Sequence, residues 1–214
     1  MTSSLTPRSD LPDRPNILSV SFEDCTPWFG CYGHPGIRTP NLDRLASQGA
    51  LWTNAYTTAP VCSPTRSSVI TGMHPVSLGS HHMRTLRYQD QGRQGYEAVI
   101  PHYVKCFPEY LRAAGYWCTN DGKHDYQFDA PVTVWDETSN PWVEDGTAHW
   151  RNRPDPDRPF LAVFNLGATH ESQSWEGSQF DDNDIDLDTV LVPPYFPDTV
   201  KVRESLARVY ASIE

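Results

Sequence analysis

The chain has 214 residues, enough for one medium-sized domain with a buried core. Its 17 Lys and Arg residues against 27 Asp and Glu leave a formal charge of −10, which argues against nucleic acid as the main partner, because a phosphate backbone would be repelled. Hydrophobic residues at 38% and aromatics at 12% give a globular profile, and no stretch approaches the roughly 18 apolar residues of a membrane span.

Residues 1–15 are polar and Pro-containing and are expected to be a disordered lead-in without the apolar region of a secretory signal. Five cysteines, Cys25, Cys31, Cys62, Cys106 and Cys118, form no paired framework, so a reduced, cytoplasmic protein is the simplest expectation. Residues 16–22 (NILSVSF) predict a buried strand that ends in Glu23-Asp24. Thr39, Pro40 and Asp43 mark a helix start, Leu42, Leu45 and Ala46 share its expected inner face, and Gly49 closes it. Residues 50–57 (ALWTNAYT) predict a strand.

The next helix is placed with Ser63 as its cap, Pro64 at its first position, Val69 and Ile70 inward, and Gly72 as its stop. Residues 73–106 are loop-rich. Phe107, Tyr110, Leu111 and Ala114 form a helical stripe ending at Gly115, and residues 116–119 predict a short strand leading to Gly122-Lys123-His124. Residues 160–166 (FLAVFNL) are the strongest central-strand candidate and run into Gly167-Ala168-Thr169-His170. A last helix is expected over about 199–213. The alternation predicts an α/β fold with a mostly parallel central sheet flanked by helices. Glu23-Asp24, Lys123 and His170 then fall beyond strand ends, where ligands bind in open α/β sheets.

The segment Cys62-Ser63-Pro64-Thr65-Arg66 carries the chemistry. A thiol at a helix mouth is in a favourable place to ionise, and Arg66, one turn on, can reach back to whatever Cys62 carries. A thiolate nucleophile and a buried structural cysteine are both open on these five residues. The longer run CSPTRSSVITG is more specific. With Cys62, Pro64, Arg66, Thr71 and Gly72 in register, it closely resembles the signature of the type I sulfatases of the alkaline phosphatase superfamily. NILSVSFEDCTPWFGCYG, TPNLDRLASQGALWTNAYTTAPVCSPTRSS and YLRAAGYWCTNDGK resemble further parts of the family, so the resemblance covers roughly residues 15–214.

The resemblance implies an alkaline phosphatase/sulfatase-like fold and a sulfuric ester hydrolase, with sulfated carbohydrate as the substrate class. Cys62 would be converted to formylglycine by a formylglycine-generating or equivalent maturation enzyme. Its hydrate would attack sulfur, and sulfate would leave by elimination. Arg66 would hold the hydrate, Lys123 would contact sulfate, and His170 would contact sulfate or act as a general acid on the leaving oxygen. Glu23 and Asp24 match the pair that binds Ca²⁺, joined by Cys62 as formylglycine, although the family usually has Asp at the first position. The family's Gly-Lys-x-His becomes Gly122-Lys123-His124-Asp125 here, so either His124 or Asp125 stands in the usual histidine's place. The family's second metal-binding pair and second lysine do not occur before Glu214. The chain is therefore expected to be the N-terminal portion of a longer catalytic domain, over residues 16–214, and inactive alone.

The same resemblance admits a phosphate or phosphonate monoester hydrolase, and the missing ligands admit a non-catalytic remnant that binds anions or glycans. His81, His82 and Arg84 are candidates for contacting an anionic sugar, as is His124. The acidic run 181–188 does not fit a calcium loop, because Leu187 and Pro193 stand where Gly and Glu are required, and it is expected to be an exposed loop. Trp135, Trp142 and Trp150 are expected to pack rather than to stack on a glycan, and the four cysteines other than Cys62 to be small buried hydrophobes.

Overall fold

The computed structural model describes residues 13–83, 95–140 and 145–214. The expected lead-in at 1–15, Arg84 and Trp142 fall wholly or mostly outside the described residues. The sheet contains β1 (Ile17–Phe22), β2 (Trp117–Gly122), β3 (Glu137–Thr138) and β4 (Phe160–Leu166) in the spatial order β1-β4-β2-β3. Every pairing is parallel, with Ile17 opposite Leu161 and Leu161 opposite Cys118. The apolar run of β4 takes the inner position, where Leu161 and Ala162 are fully enclosed.

The expected buried strand β1 is instead an edge strand. Leu18 and Val20 are 61% and 46% exposed, because no described strand pairs with its outer side. The expected strand at 50–57 does not form. Its residues are exposed and have no ladder partner, and Trp52 is held by its backbone carbonyl, which accepts from the Tyr32 hydroxyl at 3.0 Å. A strand exists only where another strand completes its hydrogen bonds.

Helices α1 (Pro40–Gln48), α2 (Cys62–Thr71), α3 (Pro75–Leu78), α4 (Phe107–Ala113) and α5 (Val200–Ile213) surround the sheet. Helix α1 buries no residue fully, and Leu45 lies 66% exposed, against the expected inner face. The Tyr116, Cys118 and Leu161 cluster receives Leu111 of α4, and Ile37, Val190, Leu206, Ala207 and Tyr210 seat α5. Cys106 and Cys118 are buried as expected, whereas Cys25 and Cys31 are only half-buried.

Helix α2 begins two residues earlier than its sequence suggests. Val61 is its cap and Cys62 its first residue. Ser63 does not cap because its hydroxyl donates to the Gln127 side-chain carbonyl at 2.9 Å. Pro64 is accommodated because the first-turn N–H groups have no partner within a helix. Ser63, Pro64, Ser67 and Ile70 are the enclosed residues, whereas Val69 is 64% exposed. Gly72 ends the helix in the left-handed conformation at φ 66°, and its N–H donates to the Ser68 carbonyl. Gly72→Ala is expected to cost about 1 kcal/mol through this backbone geometry. Thermal unfolding should show a fall of roughly 2–4 °C, and no fall would sink this role.

Candidate active site

Three strand ends and one helix start converge on Glu23. The residue follows β1, and its carboxylate is 4% exposed. Thr169, in the turn after β4, fixes the backbone there by donating its hydroxyl to the Glu23 carbonyl at 2.5 Å. Arg66, one turn into α2, donates to Glu23 Oε1 from Nε at 3.0 Å and from Nη2. Its Nη1 donates to the Lys123 carbonyl at 3.1 Å. Lys123 follows β2, and its Nζ donates to Glu23 Oε2 at 2.7 Å. Burial pushes the Glu23 carboxyl up, but Arg66 and Lys123 outweigh it and hold the group below its usual range. Lys123 responds in the opposite direction: burial lowers it, and the Glu23 bond and charge raise it further than that.

Asn165 of β4 braces the centre. Its side-chain amide donates to the Lys123 carbonyl at 2.9 Å and to Asn120 Oδ1 at 3.1 Å, and it accepts from Ser21 at 2.7 Å. The polar ends of β1, β4 and β2 are thus tied across the sheet.

Asp24 and His170 lie beside this group. Asp24 has a left-handed backbone at φ 45°, which Asp tolerates better than most residues. One carboxylate oxygen accepts from the Glu171 N–H at 2.9 Å, and His170 Nε2 lies 3.7 Å from it. His170 Nδ1 receives the Ser172 N–H at 3.3 Å and lies 3.0 Å from the Ser172 hydroxyl. These contacts make Nδ1 the acceptor and assign the ring proton of the neutral form to Nε2. Ligand atoms of Glu23, Asp24 and His170 lie within 4.8 Å of one another, a possible metal-binding cluster. Two carboxylates favour a hard divalent cation, and His170 in this tautomer offers an N–H rather than a lone pair.

Cys62 borders a cavity of about 780 Å³ between β1 and α2, together with Glu23, Asp24 and Arg66. The thiol does not behave as its place at the helix mouth suggests. Burial pushes its pKa up, Lys123 opposes this, and Asp125 and Glu23 add to the rise. The cysteine is therefore a neutral thiol at pH 7. The guanidinium of Arg66, expected to reach Cys62, is engaged with Glu23 and the Lys123 backbone.

The loop after β2 sends residues 124 and 125 to different surroundings. Asp125 and Gln127 both have left-handed backbones, at φ 48° and 63°, so consecutive side chains leave the loop in different directions. Asp125 Oδ2 faces Lys123 Nζ at 3.7 Å, with its side chain fully enclosed. The His124 ring lies parallel to Tyr126, with ring centres 6.1 Å apart. Its Nε2 is buried without a hydrogen-bond partner among the described residues, and burial and the Arg66 charge lower its pKa.

The remaining predicted site residues make contacts of their own. His81 is exposed, with its ring 5.7 Å from that of His82. His82 Nδ1 lies 3.1 Å from Gln127 Nε2, and Gln127 also receives the Ser63 hydroxyl. A Ser63–Gln127–His82 chain therefore ties the residue after Cys62 to His82. Gln127 has no signal in the sequence, since its importance comes from partners 64 and 45 positions away. Trp135 packs against the Ile70 cluster, and Trp150 stacks on Phe160 at 5.0 Å. Asp181 pairs with Arg208, and Asp186 caps a short turn at 187–189.

Comparison with known proteins gives this geometry a family. The sulfatase family model matches residues 15–211. An ulvan-active sulfatase of Formosa agariphila is 49% identical over 167 residues, which cover 78% of this chain and 27% of that protein. Human N-acetylgalactosamine-6-sulfatase is 31% identical over 189 residues, covering 85% and 34%. A solved sulfatase structure from work on glycosaminoglycan metabolism by Bacteroides thetaiotaomicron superimposes with a TM-score of 0.63 at 19% identity, over 94% of this chain and 55% of that one. The last likeness shows a shared alkaline phosphatase-like fold. The chain spans about a quarter to a third of the length of these curated relatives. It belongs to the sulfatase family.

Proposed function

We propose that this chain provides the nucleophile-bearing part of a sulfuric ester hydrolase acting on sulfated carbohydrate. The observation that carries the reading is the convergence of Cys62 and Arg66, both on α2, and Lys123, after β2, around the buried carboxylate of Glu23, after β1. Sulfuryl transfer requires fixed positive charge around equatorial oxygens and a positioned nucleophile. Arg66 and Lys123 are held by buried bonds and supply that charge without reorganising. His170, with its proton on Nε2, is placed to donate to a departing oxygen.

Cys62 as a neutral, half-buried thiol is a poor nucleophile, and the family resemblance supports its conversion to formylglycine. When present, that group supplies a hydrated aldehyde as the nucleophile in place of the thiol. Glu23 and Asp24 would hold a Ca²⁺ ion, which supplies positive charge at the developing sulfate oxygens. Maturation by a formylglycine-generating or equivalent enzyme, and a cytoplasmic location, belong to the same proposal.

Turnover of an aryl sulfate and an aryl phosphate by the matured full-length protein that contains this segment tests the reading. Preference for the sulfate is expected. Strong preference for the phosphate would favour a phosphate or phosphonate monoesterase, and turnover of neither would favour an anion-binding role. Cation binding is tested separately. Calcium at a hundred times its dissociation constant should stabilise the protein by about 2.7 kcal/mol, since it binds only the folded state. Asp24→Ala should abolish that gain. An equal gain in the variant would remove Asp24 from the cation site.

A further inference from the structure

We propose that Asp125 is a charge-selectivity residue, whose carboxylate beside the Lys123 ammonium makes this pocket favour singly charged sulfate esters over doubly charged phosphate esters. The inference rests on the reading of the site as a sulfate-ester pocket and deepens it.

Lys123 is shared between two carboxylates, Glu23 at 2.7 Å and Asp125 at 3.7 Å. The Asp125 side chain has no exposed surface, so solvent and salt screen its charge poorly. Asp24 adds a third carboxylate at the same strand end, with Arg66 and Lys123 as the fixed cations. An acidic group in a site that takes an anion raises the cost of binding, in proportion to the charge of the anion. A sulfate monoester carries one negative charge. A phosphate monoester, with a second pKa of about 6, carries nearly two at pH 8. The same carboxylate therefore penalises the phosphate ester about twice as heavily.

The site also makes the substitution clean. Asp125 has φ 48°, a left-handed conformation that Asn tolerates as well as Asp. Asp125→Asn thus removes charge and leaves shape and backbone nearly unchanged. Asp125→Gly is a second neutral variant suited to the same backbone. Asp125→Glu keeps the charge and alters the reach.

The experiment is calorimetric titration of phenyl sulfate and phenyl phosphate at pH 8 into the protein with unmodified Cys62, which binds esters without cleaving them. In Asp125→Asn, phosphate affinity is expected to rise about tenfold more than sulfate affinity. Asp125→Gly should shift in the same direction, and Asp125→Glu should keep the ratio of the parent protein. An unchanged ratio in both neutral variants would overturn the proposal, as would a shift in Asp125→Glu equal to that in Asp125→Asn. Failure of the parent protein to bind phenyl sulfate would instead overturn the underlying reading of the pocket.

Discussion

Replacing Arg66 by alanine is expected to destabilise the protein by about 3–5 kcal/mol, because it strips a buried carboxylate of the guanidinium that donates twice to its Oε1. Glu23 is 4% exposed and Arg66 11%, so water cannot take over the lost bonds without opening the site. Lys123 would remain as the other cation on Glu23, which places the loss toward the lower end of that range. Urea denaturation should resolve the change, and thermal unfolding should fall by roughly 6–20 °C. Arg66→Lys is expected to recover only part of it, since an ammonium cannot serve Glu23 and the Lys123 carbonyl through one planar fork.

The same pair sets a pH dependence. Glu23 is held below its usual value of 4.5 in the folded state. Its contribution to stability is therefore fully present above about pH 4.5 and is lost as pH falls through the lower folded value. Without Arg66 that depression shrinks, and the acid loss specific to Glu23 should shrink with it. A full acid-dependent loss in Arg66→Ala would show that Lys123 alone sets the Glu23 pKa.

The second large effect is on chemistry and leaves the fold alone. In the full-length enzyme, Cys62→Ala is expected to lower aryl sulfate turnover by about 10⁵–10⁶-fold, the scale seen when an enzyme loses its nucleophile. Cys62 is only half-buried, and its truncation should cost about 1 kcal/mol or less in stability. A stable but inactive variant distinguishes this residue from Arg66, whose loss should damage both. Mass spectrometry of the parent's Cys62 peptide should find an aldehyde in place of the thiol. Retained turnover in Cys62→Ala, or a fully active parent with only unmodified Cys62, would sink the assignment.

The sequence made some elements legible because their signals are local. Residues 160–164 form an unbroken apolar run, and β4 occupies residues 160–166 as the inner strand. Gly72 marked the end of α2 because a left-handed stop favours glycine. Other signals were local in appearance but depended on distant partners. Ser63 looked like a helix cap until Gln127, 64 residues away, claimed its hydroxyl. Residues 50–57 read as a strand but have no neighbour to pair with, and β3 is too short, at two residues, to show any period.

The candidate site divides along the same line. Its residue types follow from the family resemblance, but their couplings do not. Arg66 and Lys123 meet Glu23 across 43 and 100 positions. The separate surroundings of His124 and Asp125 depend on a left-handed backbone at residue 125 that no composition or spacing reveals. The upward shift of the Cys62 thiol is a tertiary effect of burial, which a helix-dipole reading could not supply.

The strand order has a kinetic consequence. β4 is the last of the described strands, yet it sits between β1 and β2, so β1 has no partner, and β2 only the two-residue β3, until residues 160–166 are in place. Glu23 and Lys123 belong to opposite sides of that late insertion. Closing so long a loop is entropically costly and slows a fold of this kind. The bonds between Glu23, Arg66 and Lys123 should therefore form after the folding barrier has been crossed. In a denaturant chevron, Lys123→Met should mainly accelerate unfolding and leave the refolding limb nearly unchanged. A refolding limb slowed as much as unfolding is quickened would mean that the charged cluster is instead present when β4 inserts.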